Sequence, residues 1–336
     1  MTRPSLLIAF AVLAALSAGS WASRGPASAA AAPLDTSFAA PTAVTITGYD
    51  GDAMEPFVSR DGTWLLFNTR NLPGDATDLQ LARRIDADHF QWLGPLEGAN
   101  SKMLDGAASL DRSGNLYFVS NRNYDHSGNT LWRGRMIGTR VVDVREIEAD
   151  FTKKRLLRLN IDLEISADGQ SLYFAENRWD LFRARPATSD LAIAQLQGTR
   201  FVRDPQSAAQ FAAVNSPALE YAPDISLDQL TLYFTRLDLK RLAKQPEQAF
   251  SLMVSNRPTR TASWGQPRTI AAAQGVVEGP ALSPDGCALY FHKLVNNRFG
   301  LWLMRRPGCT PRSLPRTQPA RQLLCSRSGL DGGPGE

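Results

Sequence analysis

Six acidic residues hold most of the chemistry this sequence offers: Glu55, Asp162, Glu164, Glu220, Asp224 and Glu278. Each stands shortly before a turn that the chain repeats five times. Glu55, Asp162, Glu220 and Glu278 lie six to eight residues ahead of that turn, and Glu164 and Asp224 lie four ahead. Carboxylates at matching registers of a closed repeat converge on its axis, where they can bind a cation, a basic group or sugar hydroxyls. Two or three converging carboxylates can also carry acid/base hydrolysis, as in glycosidases; Glu55, Asp162 and Glu278 are the candidates for that. The plainer reading, which the sequence favours, is structural. Such acids cap loops or pair with Arg70, Arg122, Arg178 and Arg236, which sit just after the second strand of their repeats.

What must position these acids is the repeat itself. "EPFVSRDGTWLLFNTR" (55–70), "AASLDRSGNLYFVSNR" (107–122), "DLEISADGQSLYFAENR" (162–178), "APDISLDQLTLYFTR" (222–236) and "GPALSPDGCALYFHK" (279–293) align on Asp61, Ser113, Asp168, Asp228 and Asp285, at spacings of 52, 55, 60 and 57 residues. An aliphatic residue stands three before each of these, and a bulky pair, Tyr-Phe in four copies, closes each one. Asp-Gly between alternating apolar runs marks a hairpin, because glycine tolerates the positive φ of the turn. Gln229 replaces that glycine in the fourth copy, so its turn must differ or carry strain.

Third strands are read at 78–84, 130–136, 180–186, 250–257 and 300–306, and fourth strands at 90–96, 139–147, 199–204 and 262–270. Four antiparallel strands per unit, with no helix-period segment of domain size, specify an all-β fold: a single β-propeller of four-stranded antiparallel blades, five in number, with six as the alternative. The propeller spans 41–306. Residues 42–48 are expected to supply the fifth blade's outer strand and so tie the two chain ends together; 311–317 are the alternative. The tail, 307–336, is Pro/Arg/Gly-rich and reads as largely disordered.

The motif Ser-x-Asp-Gly-x-x-Leu-Tyr-Phe, as in Ser283, Asp285, Gly286, Leu289, Tyr290 and Phe291, resembles the WD40-like β-propeller repeat family of exported bacterial proteins, related to the TolB propeller. The resemblance spans about 270 residues. It implies an exported scaffold in envelope or carbohydrate-related settings and no fixed catalytic set. Fold analogy alone licenses no activity.

The first 32 residues read as a signal peptide and Ala-rich segment: Arg3 gives a positive start, and "LLIAFAVLAAL" (6–16) is too short to span a bilayer. The mature chain is therefore expected in the periplasm or outside the cell, with no membrane span, as a monomer. Export permits disulfides, and three cysteines allow at most one within the chain, Cys287–Cys309 or Cys309–Cys325. A net charge of +4 over 336 residues, without a basic face interleaved with aromatics, argues against nucleic acid. No metal-ligand spacing, nucleophile elbow or phosphate-cradling loop is present, so no metal, cofactor or catalytic set is expected. Trp64, Trp92, Trp132, Trp179, Trp264 and Trp302 could stack sugars, but at strand positions they read as inter-blade core. The functional expectation is a non-enzymatic module that binds a protein or carbohydrate partner through one face. A five-bladed carbohydrate-active hydrolase using the channel-mouth carboxylates is the alternative.

Overall fold

A computed structural model describes residues 37–71, 76–151, 157–180 and 185–310. The leader at 1–32 and the tail beyond 310 lie outside these residues. The described chain's regular secondary structure is nearly all β-strand, with only short helical turns between strands. Inner strands run over Met54–Val58, Asp105–Leu110, Arg158–Ile165, Leu219–Ile225 and Val277–Leu282. They touch in cyclic order, the fifth returning to the first, so the ring closes with five blades.

The repeated turn has one physical basis in four of the blades. The serine two before the aligned aspartate donates its hydroxyl to that carboxylate (Ser59–Asp61, Ser166–Asp168, Ser226–Asp228 and Ser283–Asp285, all 2.5 Å). The same hydroxyl accepts the amide that opens the next strand, at 2.9 Å in each case. In blade two the roles sit on one residue, Asp111, which accepts the amides of Ser113 and Asn115 at 2.8 and 2.9 Å. Gln229 adopts φ +62°, so the glycine conformation is kept without glycine. Its side chain accepts a hydrogen bond from the Tyr173 hydroxyl at 3.0 Å, which helps hold it there.

Each aromatic pair splits its two rings between the two faces of its blade, as strand alternation requires. The core is accordingly a set of inter-blade clusters. Phe67 and Tyr290 meet between blades five and one, Phe118 and Leu66 between one and two, and Tyr117 and Phe174 between two and three. Tyr173 meets Phe234 between three and four, and Tyr233 meets Phe291 between four and five. Full burial of such side chains is worth roughly 1.5–3 kcal/mol each. Trp132 and Trp264 are buried.

Two strands differ from the sequence reading, the smaller case being blade four's outer strand, which is Arg268–Thr269 alone in place of the expected 262–270. Blade three's second strand runs on to Asp180, and its third is Arg185–Gln197 rather than 180–186. Both stretches alternate, but Leu191–Ala194 sets four buried aliphatic residues against Leu172–Ala175, a core pairing the charged 180–186 stretch cannot supply.

Closure uses both termini. Thr42 and Ala43 pair with Leu303 and Trp302 as blade five's outer strand. Thr45–Thr47 then crosses to run parallel to blade one's outer strand, so the expected 42–48 strand is split between two blades. Cys287 bonds Cys309, the first of the two allowed pairings, and fixes the end of blade five's third strand to its turn. Among the described residues no helix is long and apolar enough to cross a membrane. Replacing both Cys287 and Cys309 by alanine is expected to remove about 3 kcal/mol, the value for closing a loop of this order. Thermal melts of wild type with and without reductant, beside the double variant, check it; coincident melts would deny the bond a structural role.

Candidate active or binding site at the channel mouth

The inner strands share one irregularity. Each carries a register shift against its second strand, between Met54 and Phe57, Gly106 and Ser109, Ile161 and Glu164, Tyr221 and Asp224, and Glu278 and Ala281. At the same position of each bulge the backbone turns left-handed: Glu55, Ala107, Asp162 and Ala222 at φ +48°, Gly279 at +64°. This conformation costs an L-residue roughly 1–2 kcal/mol. Two alanines adopt it as readily as the two acids, so the strain belongs to the blade and not to a site.

The bulge also withdraws an amide from the inner ladder, and the neighbouring blade collects it. Asn68 Oδ1 accepts the Ala107 amide, Thr235 Oγ1 the Gly279 amide, and His292 Nδ1 the Glu55 amide, each at 3.1 Å. Because His292 Nδ1 accepts here, the proton of the neutral ring sits on Nε2. That buried nitrogen meets no hydrogen-bond partner and lies 3.7 Å from Glu278 Oε1.

At the mouth of the channel, Glu55, Asp162 and Glu278 border a cavity of about 200 Å³. Tyr221 lines it too and donates its hydroxyl to Glu278 Oε2. Asn71, Asn177 and Ser189 add polar lining, and much of the remaining wall is apolar, including Leu219, Leu237, Phe250 and Phe299. No tryptophan is among the lining residues. Among the described residues no arginine or lysine pairs with the three acids. Burial, then the charges of Asp162 and Glu278, hold the Glu55 carboxyl well above its ordinary range. Burial, then Glu278, lifts Asp162 from 3.8 to about 7, against a lowering by the Ala222 amide. Burial foremost keeps the Tyr221 hydroxyl protonated and so a donor.

The other three acids are already engaged. Glu220 accepts from Ser216 and pairs with Arg236 at 2.7 Å, as Asp105 does with Arg122 at the same register of blade two. The pairing with second-strand arginines expected from the sequence therefore holds for Arg236 and Arg122. Arg70 approaches Asp52 at 3.8 Å, and Arg178 is exposed. Deeper in the channel Glu164 meets Arg60, reaching across from blade one, and accepts the Ser109 hydroxyl at 2.6 Å. Asp224 accepts the Leu282 amide at 3.0 Å. Burial raises both carboxyls; the Glu164 charge raises Asp224 further, and Arg60 opposes both shifts. The space between the tiers narrows to about 30 Å³, room for little more than a water.

The structure thus brings Glu55, Asp162 and Glu278 together and separates Glu164, Asp224 and Glu220 from them. Tyr221, His292 and Asn177, which also lines the cavity, were not singled out by sequence. Tyr221 stands at Glu278's own register one blade earlier, a signal the alignment contained. His292 lies opposite Glu278 on the second strand, and only strand pairing discloses it. Among the described residues the only trio whose metal-ligating atoms all lie within 4.8 Å is Asp86, Asp88 and His89, which is partly exposed, and Asp88 there holds Arg305 at 2.8 Å.

No family model matches the chain, and no curated protein matches it. Solved structures resemble its fold. The catalytic domain of the Coprinopsis cinerea GH62 alpha-L-arabinofuranosidase superposes with a TM-score of 0.51 at 10% identity, covering 82% of this chain and 100% of that one. A thermostable family-43 glycoside hydrolase gives 0.50 at 11%, with 82% and 100% covered. TolB from Acinetobacter baumannii gives 0.42 at 11%, with 76% and 54% covered. At these identities the likeness is one of fold.

An aspartate that keeps its proton to about pH 7 when folded and loses it near 3.8 when unfolded makes the folded state the better proton binder between those values. Its contribution to stability therefore falls as pH rises from about 4 to about 7. Asp162→Asn removes that penalty and suits the left-handed backbone. It is expected to raise Tm by a few degrees at pH 8, under a ceiling of about 4 kcal/mol, and to leave it unchanged at pH 4. Melting curves at the two pH values decide; a lower Tm at pH 8 would make the carboxylate a structural group.

Proposed function

We propose that this chain is an exported binding propeller whose channel mouth receives the end group of a glycan. One observation supports the reading above others: Glu55, Asp162, Glu278 and Tyr221 border a cavity where no described arginine or lysine pairs with them and only the His292 ring comes near, whereas Asp105, Glu164 and Glu220 are each held by arginine. Carboxylates accept sugar hydroxyls, and the rings of Phe250 and Phe299 offer a surface to a sugar's C–H face. At about 200 Å³ the cavity lies below the roughly 300–1,000 Å³ usual for small-molecule sites, which suits one terminal unit rather than a protein surface. One structural neighbour of the same fold is the catalytic domain of an alpha-L-arabinofuranosidase. Export rests on the leader-like start, the Cys287–Cys309 bond and the motif's resemblance to WD40-like exported propellers. Wild type is expected to bind members of an immobilised glycan array in the micromolar to millimolar range, with binding lost in Asp162→Asn/Glu278→Gln. A folded wild type that retains no glycan would sink the proposal.

A second reading, hydrolysis, is favoured by the differing environments of two acids. Glu55 is held protonated by burial and its neighbours, as a general acid must be, while Glu278 accepts the Tyr221 hydroxyl and is set to act as base. Incubation with nitrophenyl glycosides separates the readings. Under the binding proposal no nitrophenol is released. Turnover that falls at least a hundredfold in Glu55→Gln, within the range general acid catalysis supplies, would replace binding by hydrolysis.

A further inference from the structure

Resting on the glycan reading, the donor and acceptor balance of the cavity narrows the ligand. Three carboxylates face it, and none of its lining residues is lysine or arginine. Asn177, 2% exposed, lines the same cavity, and its side-chain oxygen meets no donor within the protein. Tyr221, the one hydroxyl near the acids, already gives its proton to Glu278. The Ser189 hydroxyl likewise donates to the Glu220 carbonyl. Asn71, whose amide both donates and accepts, completes the polar lining, so among the described lining residues oxygens able to accept outnumber N–H and O–H groups free to donate. A buried acceptor without a partner is costly, and a group of like charges without a counter-ion more so, a cost the free protein lessens by keeping Glu55 and Asp162 toward the protonated form.

A neutral sugar answers only the first need, because its hydroxyls donate but bring no charge. An ammonium answers both, with three donors and one positive charge. Phe250, Phe299 and Tyr221 add ring faces, which attract cations. We infer that the channel mouth selects an amino sugar with a free, protonated amine, which would sit among Glu55, Asp162 and Glu278, over neutral and N-acetylated sugars. The lower tier shows the same rule satisfied internally: Glu164 and Asp224 share Arg60, a cation from the chain itself. At the mouth no described arginine or lysine does so, and the nearest basic ring, that of buried His292, stands 3.7 Å from Glu278 and 3.9 Å from Glu55.

Titration calorimetry at pH 7 with glucosamine, glucose, N-acetylglucosamine and butylammonium tests this. Glucosamine should bind at least tenfold more tightly than glucose or N-acetylglucosamine. Asp162→Asn should cost glucosamine about tenfold more than it costs glucose, narrowing the preference between them, and Asn177→Leu should weaken glucosamine severalfold. Melting curves of each variant establish that it is folded. Glucose or N-acetylglucosamine binding as well as glucosamine overturns the inference and leaves the glycan reading standing. Butylammonium binding with no sugar bound overturns the glycan reading and the amino sugar with it, leaving only a site for simple ammonium ions. Absence of binding by all four probes overturns both.

Discussion

The left-handed bulge in the inner strand is the constraint on which the rest depends. Repeated in every blade, it breaks the antiparallel ladder at one place, puts the residue there beside the channel and frees its amide. The freed amide must find an acceptor, since an unpaired buried N–H is costly. In three blade junctions a side chain of the neighbouring second strand provides it. One local feature thus joins adjacent blades and decides which side chains face the axis. Blade five shows how tightly it is fitted: a Cβ on Gly279 would come within 2.8 Å of Glu55 Oε2 and 3.0 Å of His292 Nδ1. Glycine there leaves Glu55 its place.

Within this frame the acids divide by whether the chain supplies a cation. Asp105, Glu164 and Glu220 each reach an arginine and contribute to holding loops or blades. Among the described residues Glu55, Asp162 and Glu278 reach none, and their mutual proximity, with burial, pushes Glu55 and Asp162 toward the protonated form. Natural proteins accept such destabilising arrangements where a ligand or a reaction needs them. The contrast between tiers, more than the number of acids, is what sets the mouth apart from the rest of the channel.

The ring was legible because its signals are local. Ser-x-Asp fixes the turn through hydrogen bonds spanning a few residues, and Tyr-Phe alternates across a strand, so both survive in sequence as spacing. Blade three's third strand was misread for the same reason. Two neighbouring stretches alternate equally well, and only the pairing of Leu191–Ala194 with Leu172–Ala175 separates them. The acids were found by register, but register alone could not tell Glu220 from Glu278. Glu220 lies one position further from the turn, and that step sends its carboxylate to Ser216 and Arg236.

By itself the sequence determined the all-β class, the five repeats, their four-stranded form and the set of acids near the axis. These follow from periodicity and turn chemistry, which act over a few residues. Tertiary structure decided which terminus closes the ring, that Cys287 takes Cys309, and that Glu55, Asp162 and Glu278 share a cavity with Tyr221, Asn177 and His292 close by. The disulfide apart, those facts join residues such as Thr42 with Leu303 and Glu55 with His292, far apart in the chain, and closing the ring is what brings them together. No spacing along the chain encodes the distance from Glu55 to His292; blade five has to meet blade one for that distance to exist.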